Sequence, residues 1–292
     1  MKKSLRNVIL AGRLIKKLDK KVGKLGFQQT MMKIVKRCGG KLIIHHKTKD
    51  INNILKNQPV IVVANHPAEP DIISLIAALS PRKDLYLIIN SSLMNMGPNL
   101  DKHFIPVYVN HRFINKSKSH FRLKLLMKFH HIEPINRKRA HQKNIASIKQ
   151  ASKKINQGGL VVIFPGGSDS EDKWLSGVGY LIKDINTKNN SYIIKAYIKG
   201  SSNWDYLRLI PGLGKIFPAI KIFFSQPKPV NEFIKYHPKE ITQNLEVEFN
   251  KWVSTLIPKK IIKTAPPFNC SFPKKAYLIA RSLIFWLITK TR

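Results

Sequence analysis

The segment "VVANHPAEPDIISLIAAL", residues 62–79, carries the pattern that is most informative about the fold of this chain. An apolar run ends in Asn65 and His66, and two prolines then interrupt regular structure, because proline has no amide hydrogen for a helix or a strand. Asp71 stands directly before a second apolar run. The pattern predicts a buried strand, a rigid connector and a helix.

His66 and Asp71 are five residues apart, a spacing that on a regular helix would turn their side chains about 140° away from each other. A turn after the strand would instead bring the carboxylate back to the imidazole. A histidine oriented by an acid is suited to taking a proton from a hydroxyl group. Two other roles stay open: Asp71 could cap a helix that begins at Ile72, and His66 could be an ordinary loop histidine.

Apolar runs and helical patterns alternate along the rest of the chain. Near-continuous apolar runs predict buried strands at residues 59–64, 85–89, 160–164, 192–198 and 220–224. Helices are predicted at residues 72–79 and 138–157, and a glycine pair ends the second one. Such alternation indicates an α/β fold with a mostly parallel central sheet flanked by helices.

The chain is strongly basic, with 52 lysines and arginines against 16 aspartates and glutamates among 292 residues, a formal net charge of +36. Such an excess predicts a polyanionic partner, either nucleic acid or an anionic membrane surface, although a lysine-rich composition also contributes. No nucleic-acid-binding signature or G-x-S-x-G nucleophile elbow occurs. Neither the two distant cysteines nor the histidine pairs complete a metal-ligand pattern, so no metal is expected.

Both ends of the chain combine basic and apolar residues. Near the start, apolar residues recur every three or four positions, which predicts a basic amphipathic helix: Val8, Ala11, Ile15, Leu18, Val22 and Leu25. Such a stripe can enter a lipid interface or pack on the protein's own core. The apolar segment near the end is broken by Arg281 and Ser282, and no run reaches the roughly 18 apolar residues of a spanning helix.

The segment NHPAEPD (65–71) resembles the NH-x4-D block of the glycerolipid acyltransferases, the family that includes the 1-acylglycerol-3-phosphate acyltransferases. Three segments that resemble the family's other blocks follow in the family's order: IEPINR (132–137), FPGGSDS (164–170) and YIIKAYIKGSS (192–202). Four blocks in order are far more specific than one. The resemblance covers roughly residues 55–205.

Three positions depart from the family pattern. Gly166 stands where the third block has glutamate, and Asp169 stands where it has arginine. Lys195 replaces a proline in the fourth block. The family's glutamate is expected to contact the acceptor, and the arginine-to-aspartate change reverses a charge near the expected phosphate position. Either the acceptor differs, or the basic surface supplies the positive charge another way, or activity is reduced or absent.

The resemblance implies an O-acyltransferase that needs no cofactor. It would move a fatty acyl group from acyl-CoA or acyl carrier protein (acyl-ACP) to a hydroxyl of a lysophospholipid or related lipid. His66 would be the general base, and Asp71 would orient it. The residues expected to bind substrate are Asn65, Arg137, Gly166, Gly167 and Ser168, and among them Arg137, Gly167 and Ser168 would line the acceptor headgroup site.

The implied organisation has three parts: basic amphipathic membrane-surface helices at residues 1–40, an acyltransferase domain at 41–263 and an apolar and basic membrane-associating segment at 264–292. The expected location is the cytoplasmic face of an anionic membrane, where each lysine or arginine contributes about 1 kcal/mol of binding. Two alternatives remain: a catalytically inactive lipid-binding relative, favoured by the altered third block, and a nucleic-acid-binding protein, favoured by charge alone. The sequence gives neither the donor carrier, the acyl chain length, the acceptor nor the oligomeric state.

Overall fold

The chain alternates helices and strands through the part that the computed structural model describes: residues 2–37, 41–45, 48–68, 71–108, 135–167, 174–201 and 217–256. The helices are α1 (Lys2–Leu25), α2 (Phe27–Arg37), α3 (Lys49–Asn57), α4 (Asp71–Ala78), α5 (Pro98–Asp101), α6 (Arg137–Asn156), α7 (Gly177–Lys183), α8 (Asn231–Ile234) and α9 (Pro238–Leu256). The strands are β1 (Leu42–His45), β2 (Val60–Ala64), β3 (Leu85–Asn90), β4 (Phe104–Val107), β5 (Leu160–Ile163), β6 (Tyr192–Lys199), β7 (Ile220–Phe224) and β8 (Lys228–Pro229).

These strands form one mixed sheet in the order β1-β7-β6-β2-β5-β3-β4, and β8 pairs with β6. Strands β6, β2, β5, β3 and β4 are parallel, whereas β7 runs antiparallel to β6 and carries β1 in parallel beside it. The predicted α/β fold with a mostly parallel sheet is confirmed. The predicted strands did not include β1, β4 and β8, which have four residues or fewer and, unlike the equally short β5, are not continuously buried.

Side chains alternate between two cores, one on each face of the sheet. Val60, Val62 and Ala64 of β2 lie in the first core with residues of α1, α2, α3 and α4. Ile61 and Val63 lie in the second core with residues of α6, α7, α8 and α9. Because successive residues of a strand point to opposite faces, the two groups of helices cover opposite sides of the sheet.

The N-terminal helix is attached to the first core along part of its predicted apolar stripe. Val22 is buried, and Leu18 packs against the same core. The Asp19 carboxylate accepts hydrogen bonds from the amides of Asn99 and Leu100, at 2.8 and 2.9 Å, at the start of α5. The later part of the stripe therefore packs on the protein itself. Within the described ranges, no helix is both long and apolar enough to span a bilayer. The predicted C-terminal segment 264–292 lies outside the described residues.

Arg82 joins several backbone segments at the amino ends of the strands. Its guanidinium bonds to both carboxylate oxygens of Asp84 at 2.7 Å. It also donates to the carbonyls of Leu55, Gln58 and Gly158, at 3.0, 2.8 and 2.6 Å. Only 4% of the Arg82 side chain is exposed, so these bonds satisfy a nearly buried cation. The opposite, carboxyl edge of the sheet carries the candidate site.

Candidate active site

The carboxyl ends of three parallel strands bring the sequence-predicted residues to one edge. Val63 of β2 pairs with Ile163 of β5, and Ala64 pairs with Ala196 of β6. The connector with His66 therefore leaves the sheet beside the segment that follows β5. Ligands of α/β proteins bind preferentially at this edge of the sheet.

The connector turns back so that Asp71 approaches His66. The Ala68 amide donates to Asp71 Oδ2 at 2.6 Å, and the Asp71 amide donates to the Ala68 carbonyl at 3.1 Å. This turn places Asp71 Oδ2 3.7 Å from His66 Nδ1. Helix α4 begins at Asp71 itself, and the carboxylate accepts its hydrogen bond from Ala68, three residues before the helix, so the helix-cap alternative at Ile72 is not the arrangement observed.

The carboxylate and the imidazole are close but not hydrogen-bonded at this separation. Asp71 has no exposed surface, and 14% of the His66 side chain is exposed. Among the described residues, neither His66 Nδ1 nor Asp71 Oδ1 has a hydrogen-bond partner. Because a typical hydrogen bond is near 2.9 Å, an approach of about 0.8 Å would join the pair.

The Phe164 ring packs against one face of the His66 imidazole. The rings of His66 and Phe164 lie 4.8 Å apart, centroid to centroid, at an interplanar angle of 31°. Phe164 directly follows β5 and packs against the first core. The contact limits rotation of the His66 ring.

Asn65 ties the connector to the neighbouring strand. Its amide nitrogen donates to the Ile198 carbonyl at 3.0 Å, and its amide oxygen accepts from the Ile198 amide at 2.7 Å. Both ends of the side chain thus bond to the backbone of β6. This geometry supports a role in positioning His66, while the predicted contact of Asn65 with the substrate stays a prediction.

The third sequence block forms a tight turn next to Phe164. The Gly167 amide donates to the Phe164 carbonyl at 3.1 Å, and Gly167 has φ +65°, a left-handed conformation that favours glycine. Gly166 is half-buried within the same turn. The predicted residue Ser168 and the departure Asp169 lie outside the described residues.

Arg137 belongs to a different helix layer from Asp71. It is the exposed first residue of α6, which packs in the second core, whereas α4 with Asp71 packs in the first. The two residues are thus carried by helices on opposite faces of the sheet. The predicted contact of Arg137 with an acceptor phosphate stays a prediction.

Lys195 forms a partly buried ion pair with a residue distant in sequence. Its ammonium lies 3.3 Å from Glu248 Oε2, and the Lys228 ammonium lies 2.9 Å from the same oxygen. Burial lowers the pKa of Lys195, and Glu248 partly opposes this. The sequence singled out Lys195 as a departure, but it gave no signal for Glu248, which reaches it only through the packing of α9. Among the described residues, no group of three histidine, cysteine, aspartate or glutamate side chains could hold a metal ion.

Comparisons with known proteins place the chain in a family. The family model named Acyltransferase matches residues 45–198, more than half of the chain. A search of curated proteins found no match. One similar solved structure is the crystal structure of the 1-acyl-sn-glycerophosphate (LPA) acyltransferase PlsC from Thermotoga maritima. It is 16% identical, with a TM-score of 0.46, and the alignment covers 87% of this chain and 97% of that one. The family match includes His66, Asp71 and the turn at Gly166 and Gly167, and the chain therefore belongs to the Acyltransferase family.

Proposed function

We propose that the protein transfers a fatty acyl group from a thioester donor, acyl-CoA or acyl-ACP, to a hydroxyl of a lysophospholipid-type acceptor. The observation that carries the proposal is the approach of Asp71 to His66, 3.7 Å, at the carboxyl edge of the sheet in a member of the Acyltransferase family. A thioester is already activated, so the reaction needs a base for the acceptor hydroxyl and no protein nucleophile.

In the proposed mechanism, His66 Nδ1 points toward Asp71 and Nε2 faces the acceptor. Nε2 takes the hydroxyl proton while the hydroxyl oxygen bonds to the thioester carbonyl carbon. The resulting oxyanion collapses, the carbon–sulfur bond breaks, and the imidazolium returns its proton to the leaving thiolate. Asp71 holds the Nδ1 hydrogen and stabilises the positive charge that forms on the ring. Such general-base catalysis contributes about 10²–10⁴-fold.

The turn at Gly166 and Gly167 is the proposed place for the acceptor headgroup, because it adjoins Phe164 and hence His66. Glycine at 166 removes the carboxylate that the family pattern has there. An acceptor that does not require that carboxylate is therefore proposed. Arg137 could pair with a phosphate by two parallel hydrogen bonds, which predicts a preference for phosphate-bearing acceptors.

The acceptor is a lipid, so the proposal includes a membrane surface. Helix α1 has nine lysines and arginines and one aspartate, and its lysines at 16, 17, 20, 21 and 24 are exposed. Binding at the cytoplasmic face of an anionic membrane through these groups supports access to both a water-soluble donor and a lipid acceptor.

The test uses purified protein, anionic vesicles, labelled acyl-CoA or acyl-ACP, and lyso-lipid acceptors with and without phosphate. His66→Ala is compared with His237→Ala, an exposed histidine outside the site. Transfer by the wild type and by His237→Ala, with loss in His66→Ala, supports the proposal. Tight vesicle binding without transfer from either donor to any acceptor would instead identify a non-catalytic lipid-binding relative.

A further inference from the structure

The outward face of α6 is cationic and has no compensating carboxylate. The helix has seven lysines and arginines and no aspartate or glutamate among its 20 residues. Its exposed side chains include a stripe with one member in each turn: Lys138, His141, Ile145, Lys149 and Lys153. Spacings of three and four residues place these side chains one above the next along the helix. We call these five residues the α6 stripe.

The chain is basic overall, but the charge on α6 is not shared by every helix. Helix α9 packs in the same second core, yet it has three glutamates and two lysines over 19 residues. Among the described residues, no ion pair includes a member of the α6 stripe. Unneutralised lysines in consecutive turns produce a positive potential that favours an acidic partner.

Helix α6 begins at the same edge of the sheet as the candidate active site. The Tyr108 amide, just after β4, donates to Asn144 Oδ1 at 2.6 Å, and the Asn144 amide donates to the Tyr108 carbonyl at 3.2 Å. The first turns of α6 therefore lie at the carboxyl edge of the sheet, and the helix runs back toward the start of β5. Helix α1 packs on the opposite face, so a membrane on the α1 side leaves the α6 stripe open to water.

The apolar content of the stripe favours a protein partner over lipid. Ile145, 47% exposed, is its apolar member, whereas Ala140, Ala151 and Ile155 of the same helix are completely buried. A helix that lies in a lipid interface needs a broad exposed apolar face. One apolar residue surrounded by charged ones is instead typical of a protein interface with a small apolar centre and a polar rim.

We infer that the α6 stripe docks an acidic acyl carrier protein, which delivers its thioester to the carboxyl edge of the sheet. The inference rests on the proposed function and adds the identity of the donor's carrier and the surface that receives it. Lysines at 138, 149 and 153 meet carboxylates of the carrier, and Ile145 forms the apolar contact between them. Such charge complementarity acts mainly on the rate of encounter and therefore weakens with added salt.

The test compares two charge-matched double variants. Lys138→Glu with Lys149→Glu changes the α6 stripe, and Lys239→Glu with Lys251→Glu makes the same change at exposed positions of α9. Binding of fluorescently labelled acyl carrier protein, loaded with a long-chain acyl group, is measured by anisotropy without an acceptor. The same proteins are assayed for transfer from acyl-ACP and from acyl-CoA, and for binding to anionic vesicles.

We expect the α6 variant to bind the carrier about tenfold more weakly, with a matching rise in KM for acyl-ACP. Transfer from acyl-CoA, vesicle binding and the α9 control should be unchanged, and Ile145→Ala should weaken carrier binding without changing charge. Unchanged carrier binding in the α6 variant overturns the inference, as does an equal loss with both donors or a loss of vesicle binding. If the wild type transfers from neither donor, the proposed function fails, and the anisotropy measurement still decides whether the stripe binds the carrier.

Discussion

Replacing Asp71 by asparagine would test the catalytic pair directly. The change keeps an oxygen that can accept the Ala68 amide hydrogen bond, now 2.6 Å, so the turn should survive. It removes the negative charge 3.7 Å from His66 Nδ1. With an effective dielectric constant of about 20, a carboxylate and an imidazolium at this distance attract by about 4 kcal/mol. If that attraction develops in the transition state, Asp71→Asn lowers kcat about a thousandfold.

The assay is acyl transfer at saturating donor and acceptor, with unfolding in urea measured in parallel. The matched control is Asp50→Asn, an exposed carboxylate in the first turn of α3, which should leave kcat unchanged. Asp71→Asn should change the free energy of unfolding by less than about 2 kcal/mol, because one hydrogen bond is kept and a buried charge is removed. A kcat within about threefold of the wild type, in a folded protein, would show that the carboxylate does not support the base.

Three further outcomes are expected. Asn65→Ala should lower kcat about tenfold with little change in KM, because the connector that positions His66 loses two hydrogen bonds to β6; a larger effect on acceptor KM would favour direct substrate contact instead. Arg82→Lys should lower the free energy of unfolding by about 3 kcal/mol, measured in urea, because an ammonium cannot replace the five bonds of the guanidinium; a loss under about 1 kcal/mol would contradict this. The Arg82 hydrogen bond holds the pKa of Asp84 below its ordinary value of 3.8, so its stabilisation is present above that pH and is lost as the pH falls through the folded-state pKa. The difference in free energy of unfolding between the wild type and Asp84→Asn should therefore shrink as the pH is lowered from 6 toward 3, and a constant difference would refute the assignment.

The apolar pattern of the sequence predicted the strands inside the sheet but not the edge strand β1. All five strands predicted from apolar runs have a neighbouring strand on each side and are mostly buried, so burial left an apolar signal in their sequences. Strand β1 has two exposed isoleucines, Ile43 and Ile44, and lies at the edge beside β7. The reversal of β7 relative to β6 had no sequence signal either, because an apolar run does not encode the direction of its neighbour.

The sequence by itself determined the alternation of strands and helices, the order of the four blocks and the connector that carries His66 and Asp71. These depend on local properties: apolar periodicity, proline at fixed positions and residue spacing. Only the tertiary structure decided that the Asp71 carboxylate lies within 3.7 Å of the imidazole, that Asn65 bonds to Ile198 and that α1 and α6 occupy opposite faces. The physical reason is that each of these arrangements depends on how the loops turn and how the helices and strands pack on one another. For Asn65, the hydrogen-bond partner is 133 residues away along the chain.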